Sequence, residues 1–349
     1  MPRLGRPRIL IVGCGDVGQR CLPALQSKFR VFAVTSRDAG RVPLRAAGAV
    51  PVLADLDRID SLRRLRGLAP RVLHLAPPPA SGTDDPRTAA LLHVLSRPGS
   101  LRGSLRAAGP AQGASVALSM TKRRILPDRS PRAGRLKHHA RVRTLVYAST
   151  SGVYGDCGGA WVDETRPVRP TTARAQRRVA AERRVRWFGA GGGWRTSILR
   201  IPGIYAPDRE GGTPRERLLR GTPVLRASDD VYTNHIHADD LARACVRALT
   251  CGRPQRAINV CDDSDLRMGD YFDLVAQLWN LPRPPRVSRA QALATLPPMM
   301  MSFMSESRRL RNDRLKGELG LVLRYPTVNE GLAEAALEPD PDLPVAPSL

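Results

Sequence analysis

Lysine is nearly missing from this chain. Of 56 lysine and arginine residues only Lys28, Lys122, Lys137 and Lys316 are lysine, so arginine carries almost all of the formal charge of +24. That skew, beside abundant alanine, glycine and proline, matches the coding bias of a GC-rich genome. It is a poor sign of a surface built for polyanions. Aromatic residues make up 4% of the chain, and there is no RNP-type aromatic motif, zinc finger or isolated basic helix, so no specific nucleic-acid partner is expected. The six cysteines, Cys14, Cys21, Cys157, Cys245, Cys251 and Cys261, show no C-x-x-C pair and no metal-ligand spacing. No metal site is expected, and reduced thiols in a cytoplasmic protein are. No apolar run approaches the roughly 20 residues that span a bilayer, and no cleavage pattern of a signal peptide precedes the first apolar run. A chain of 349 residues is long enough to bury a full α/β core.

What is present begins with Ile9–Val12, which runs into Gly13-Cys14-Gly15-Asp16-Val17-Gly18 and then a helix-compatible segment, Gln19 to Ser27. A G-x-G-x-x-G between a strand and a helix is a dinucleotide-binding turn. The first two glycines allow a tight turn and close approach to a pyrophosphate, and the third lets helix and strand pack. Cys14 in this turn is expected to pack as a small residue.

Strands are expected at Arg8–Val12, Val31–Val34, Val50–Leu53, Arg71–Leu75, Thr144–Ala148 and Ser197–Ile201, with helical patterns between most of them. This alternation predicts an α/β fold with a Rossmann-type doubly wound parallel sheet. It breaks between Pro98 and Ala140, a Gly-, Pro-, Ser- and Arg-rich stretch expected to be a disordered basic insertion, or else a polyanion-binding arm. Further on, a strand over Val231–His237, a helix from Asp239 to Leu249, a strand at Ala257–Val260 and a helix over Tyr271–Leu278 are expected. The methionines of Pro297–Met304 read as adaptable packing, Arg308–Leu319 as helical, and the chain after Leu337 as a loose tail. The expected organisation is a nucleotide domain over 1–203, with 98–140 inserted. A smaller discontinuous substrate region over 204–336 follows, from which 229–262 returns to the core.

In order along the chain, the glycine turn is followed by Ala54-Asp55-Leu56, His74-Leu75-Ala76-Pro77, Val146 to Gly155, and Asp163-Glu164 with Pro167 and Pro170. Leu199 to Pro207, Ile236 to Ala242, Ser305 to Arg309 and Glu318 to Gly320 complete the series. Together these resemble the extended and atypical short-chain dehydrogenase/reductases, the NAD-dependent epimerase/dehydratase group, and most closely its YeeZ-like branch. The resemblance implies that Gly13, Gly15 and Gly18, with Asp16 and Val17, hold a pyrophosphate. It implies that Asp55 and Leu56 border the adenine, Ala76 and Pro77 line the cofactor channel, and Pro202, Gly203 and Ile204 face the nicotinamide. It also implies an NAD(P)-dependent oxidoreductase or epimerase-like activity, a small-molecule substrate and a homodimer. NAD selection calls for a carboxylate at the end of the second strand, where this chain has Thr35-Ser36-Arg37. Arg37, with Arg41, can bind a 2′-phosphate, so NADP is the expected cofactor. NAD is the alternative, through Asp38.

The catalytic core departs from the family. Thr150 fits the Ser/Thr position, but the Tyr-x-x-x-Lys positions fall on Arg174 and Arg178. Arginine keeps its proton near neutrality and is no general acid or base. Two readings stay open. In one the protein is an enzyme: Thr150 polarises a substrate oxygen, Tyr154 or an exposed His235 supplies a proton, Arg174 clamps a carboxylate or phosphate, and Arg178 binds ribose. In the other the protein is a non-catalytic NADP(H)-binding sensor or scaffold. Polyanion binding through the basic insertion is a further alternative. His237 is expected to anchor its turn.

Overall fold

The computed structural model describes residues 5–96, 142–191 and 193–336. The expected insertion at 98–140 and the tail after Leu337 lie outside them. Seven parallel strands form the central sheet: β1 (Arg8–Val12), β2 (Arg30–Thr35), β3 (Val50–Leu53), β4 (Arg71–His74), β5 (Arg143–Thr150), then Trp194–Ile201 and Arg256–Asn259. Their spatial order is β3-β2-β1-β4-β5, followed by Trp194–Ile201 and Arg256–Asn259. The order in which strands are added reverses between β1 and β4, the switch point where open α/β sheets leave a crevice at their carboxyl ends.

Both faces of the sheet are covered, as a parallel sheet requires. Alternation along β1 sends Ile9 and Ile11 to one face, where they pack with Cys21 and Leu25 of α1 (Asp16–Gln26) and with Leu241 and Cys245 of the helix Ala238–Cys251. Leu10 and Val12 point to the other face, against Leu91 and Leu95 of α3 (Pro86–Leu95) and Val185 and Phe188 of α4 (Ala173–Ala190). The short helix α2 (Arg41–Ala46) lies between β2 and β3. A separate core gathers Tyr205, Leu218, Tyr271, Phe272, Met301, Met304 and Val328 from the later chain.

Two expectations are corrected. Arg308–Leu319 is not one helix: Arg309–Leu310 is a strand paired with Trp161–Val162, and only Asp313–Gly317 is helical. The expected strand over Val231–His237 is broken into Tyr232–Thr233 and His235–His237. Residues 308–311 are held extended by their partners: Arg309 N donates to Ala160 O at 3.1 Å and Arg311 N to Val162 O at 2.9 Å, while Asn234 Nδ2 donates to Arg308 O at 2.9 Å and its Oδ1 accepts from Leu310 N at 2.7 Å. Among the described residues no helix is long and apolar enough to cross a membrane.

Candidate cofactor and substrate site

Because the strands are parallel and in register, Val12 lies beside Val34 and His74, Thr35 beside Leu53, and Thr150 beside Ile201. The segments singled out in the sequence at 13–18, 36–37, 55–56, 76–77, 150 and 202–204 all follow carboxyl ends of these strands. They therefore line one edge of the sheet.

The three glycines of the turn do different work. Gly13 has φ +89°, and a Cβ there would stand 2.4 Å from Ala76 N and 2.6 Å from its Cα, so the first turn closes directly on the loop after β4. Around Gly15 no heavy atom lies within 4 Å of where a Cβ would be. At Gly18 a Cβ would sit 3.1 Å from Gly13 O and 3.3 Å from Cys14 Sγ, which is the close helix–strand packing the motif serves. Gly15 caps α1 without a side-chain hydrogen bond, leaving the first-turn amides of Asp16 and Val17 to an anion. This cradle fits a dinucleotide pyrophosphate.

Beside it, Thr35 Oγ1 donates to Arg37 O at 2.9 Å, fixing the turn that follows β2. Ser36 and Arg37 are exposed. Asp38, also exposed, pairs with Arg41 at 2.9 Å. No ion pair engages the Arg37 guanidinium among the described residues. After β3, Asp55 N donates to Ser61 Oγ at 2.8 Å, and Leu56 packs against the core. Arg87 grips Asp57 with two nitrogens and donates from Nη1 to Pro77 O at 3.3 Å, so the loops after β3 and β4 are tied together next to Ala76. Gly203 and Ile204 start a short strand paired with His235–His237, and Pro202 joins it to the sheet.

Thr150 ends β5 half-buried, its Oγ1 accepting from Gly152 N at 3.2 Å. Arg178 is half-buried too, and Nη1 donates to Ala148 O at 2.8 Å and to Tyr147 Oη at 3.1 Å. Arg174 sits one turn earlier on α4 with its guanidinium 4.6 Å over the Phe303 ring. Its pKa is lowered, chiefly by desolvation, with Glu306 opposing and Arg178, Arg177 and Arg308 adding to the shift. Glu306 is itself paired with Arg308 at 2.7 Å.

Two expected proton donors are not at this edge. Tyr154 is 1% exposed, and its Oη accepts from Arg200 Nη1 at 2.9 Å and donates to Asn259 Oδ1 at 2.7 Å. Burial, partly offset by Arg200, pushes its pKa up to about 12. His235 is buried rather than exposed, its ring 4.3 Å from that of Tyr271, and desolvation lowers its pKa to about 4. Its strand is covered on both faces, so alternation does not bring it to solvent. His237 behaves as expected, its Nδ1 accepting from Asp239 N at 3.2 Å.

Sequence reasoning missed the polar support beneath the site. Ser149 Oγ donates to Glu182 Oε1 at 2.7 Å, and Glu182 pairs with Arg200. It also missed the staples that hold the loop after β4 to α4: Arg177 Nη1 to Gly82 O at 2.6 Å, and Arg184 to Asp84. The only trace in the sequence was a glutamate inside a helix otherwise dense in arginine.

Residues 133–261 match the NAD dependent epimerase/dehydratase family. Among solved structures, a functionally unknown conserved protein from Silicibacter pomeroyi is 28% identical, with a TM-score of 0.66 and 95% of this chain and 98% of that one covered. A UDP-glucose 4-epimerase from Thermotoga maritima, solved with UDP-glucose, is 16% identical at TM-score 0.66 and covers 94% and 97%. A UDP-glucose 4-epimerase from Thermus thermophilus, solved with NAD, is 19% identical at TM-score 0.63 and covers 94% and 97%. At these identities the two epimerases show that the Rossmann-like fold is common to all three. No curated protein sequence matches the chain.

Proposed function

We propose that this epimerase/dehydratase-type protein binds NAD(P)(H) in its glycine cradle and acts as an oxidoreductase or epimerase on a small anionic substrate, of which sugar nucleotides are the nearest chemical type. The observation that carries the reading is the division of labour among the glycines: Gly13 in contact with Ala76, Gly18 packed on the turn, and Gly15 facing open space. NADP is favoured over NAD because Asp38 is occupied by Arg41 while the exposed Arg37 follows the strand end, where a 2′-phosphate would lie.

The substrate's charge is argued from Arg174. No ion pair engages its guanidinium among the described residues, and Glu306, the carboxylate that acts on it, is itself held by Arg308 at 2.7 Å and by Thr171 at 2.6 Å. An anion seated beside Arg174 would pair it, and the UDP-glucose held by the Thermotoga neighbour is such a compound. When bound, the dinucleotide would supply hydride transfer at its nicotinamide ring. Thr150 would polarise the substrate oxygen, and the free nitrogens of Arg178 would hold ribose hydroxyls. Since neither Arg174 nor Arg178 can exchange a proton near neutrality, the substrate proton would pass to solvent. Residues 204–336 would close over the cleft as the substrate region, with 229–262 returning to the nucleotide domain of 1–203.

One observation favours a second reading, a dinucleotide-binding sensor without turnover: the hydroxyl of Tyr154 is committed to Arg200 and Asn259, away from Thr150. Calorimetric titration with NADPH and NADH, followed by hydride-exchange assays on a sugar-nucleotide panel, separates the two. An enzyme exchanges hydride, and Thr150→Val lowers kcat by about 100-fold with cofactor affinity kept. A sensor binds and exchanges nothing. Absence of binding to either dinucleotide rejects both.

A further inference from the structure

Residues 206–212 form a small closed turn after the strand Gly203–Tyr205. Arg209 N donates to Ala206 O at 3.3 Å, and Gly212 N donates to Arg209 O at 2.8 Å. A Cβ on Gly212 would come within 2.4 Å of Ala206 O and 2.8 Å of Arg209 Cβ, so the turn is packed against itself. Two crossed ion pairs tie it to the start of α1. Arg20, on α1, reaches Asp208 at 2.8 Å, and Arg209, on the turn, reaches Asp16 at 3.5 Å.

These contacts differ in kind. Arg20 is engaged at all three nitrogens: Nε meets Asp16 at 2.9 Å, Nη2 meets Asp208 at 2.8 Å and Nη1 meets Asp239 at 2.6 Å. Burial alone would lower its pKa, yet the bonds to these three carboxylates raise it. Arg209 has a single long contact, to Asp16, a carboxylate that Arg20 already engages. Asp16 immediately follows Gly15, the open position of the cradle, and its amide is among those at the free start of α1. A guanidinium that touches Asp16 is therefore at the place where a pyrophosphate would arrive. Charge-assisted bonds from arginine to phosphate are short and strong, whereas a long, partly exposed ion pair contributes little.

Resting on the cofactor reading above, we propose that 206–212 is a strap across the pyrophosphate end of the cradle. Arg20 is its anchor. Arg209 is a pyrophosphate ligand that leaves Asp16 when a dinucleotide binds. Asp16 holds Arg209 ready and, as a carboxylate beside the phosphates, opposes binding.

Titration of the full chain with NADPH and NADH by calorimetry tests this in Arg209→Gln, Asp16→Asn and the double variant, with thermal midpoints measured alongside. Arg209→Gln is expected to weaken both dinucleotides by the same factor, about tenfold for one lost charge-assisted bond, because the pyrophosphate is common to both. Asp16→Asn is expected to tighten both, and Arg209→Gln to keep its penalty in that background. Unchanged affinity in Arg209→Gln, or a penalty that vanishes once Asp16 is gone, overturns the strap while wild-type binding leaves the cofactor reading standing. Failure of the wild type to bind either dinucleotide overturns the cofactor reading itself.

Discussion

Glu182 and Arg200 face each other inside the protein, Arg200 Nη2 2.8 Å from Glu182 Oε2 and Nε 3.2 Å from Oε1, with both side chains under 5% exposed. One belongs to α4 and the other to the strand Trp194–Ile201, so the pair fixes the helix bearing Arg174 and Arg178 against the sheet. Removing Arg200 leaves the buried Glu182 carboxylate with only Ser149 and a 3.5 Å contact to the exposed Arg186 among the described residues. Arg200→Met is expected to cost about 3–5 kcal/mol in urea unfolding, and a Glu182→Leu/Arg200→Met double variant to recover most of it. A single variant within about 0.5 kcal/mol of wild type contradicts the role assigned to this pair.

The glycine turn predicts opposite outcomes at neighbouring positions. Gly13→Ala places a Cβ on Ala76 at positive φ and is expected to destabilise the fold by at least about 1–2 kcal/mol. Gly15→Ala meets no protein atom, so its thermal midpoint should match wild type while dinucleotide affinity falls. Equal loss of stability in both variants would remove the distinction.

Cofactor choice is read at Arg37. Arg37→Ala is expected to weaken NADPH by about tenfold, the worth of a charge-assisted phosphate contact, and to leave NADH unchanged. Equal effects on the two, measured by calorimetry, assign Arg37 no part in selecting the 2′-phosphate.

Asp262 gives stability a pH slope. It is 4% exposed, and burial raises its pKa to about 8. The unfolded carboxyl titrates near the ordinary value of about 3.9. Between these values the folded chain keeps a proton that the unfolded chain has released, so this contribution to stability falls as pH rises toward 8. His235, lowered to about 4, acts in the other direction, and its contribution is lost as pH falls below about 6.5. Denaturant midpoints compared at pH 7 and pH 8.5 should drop for wild type and stay flat for Asp262→Asn. A slope that survives the substitution assigns it to another group.

Most of the sheet was legible before folding, because strands buried on both faces are short apolar runs and the turn at Gly13 names its own neighbours. That the singled-out loops share one edge of the sheet followed from parallel strands alone. The positions that were misread depend on partners far along the chain. Nothing near Asn234 announces that it will bond the backbone of Arg308 and Leu310, and nothing near Tyr154 announces Arg200 and Asn259. Strand alternation placed His235 toward solvent because the cover supplied by Tyr205 and Tyr271 is tertiary. In a chain this rich in arginine, composition also hides which guanidiniums are engaged, so Arg41, Arg20 and Arg209 differ only once their carboxylates are located.

The sheet is re-entered at Arg143 and left toward the site at Thr150, with Thr144 N bonded to Pro70 O at the start of the neighbouring strand. At ~3.3 Å per residue of parallel strand, that entry point is about 23 Å from the hydroxyl of Thr150. Val142, where the described chain resumes, thus enters at the rear margin of the scaffold. The whole length of β5 separates that entry point from the front margin, where the cradle and the arginines lie.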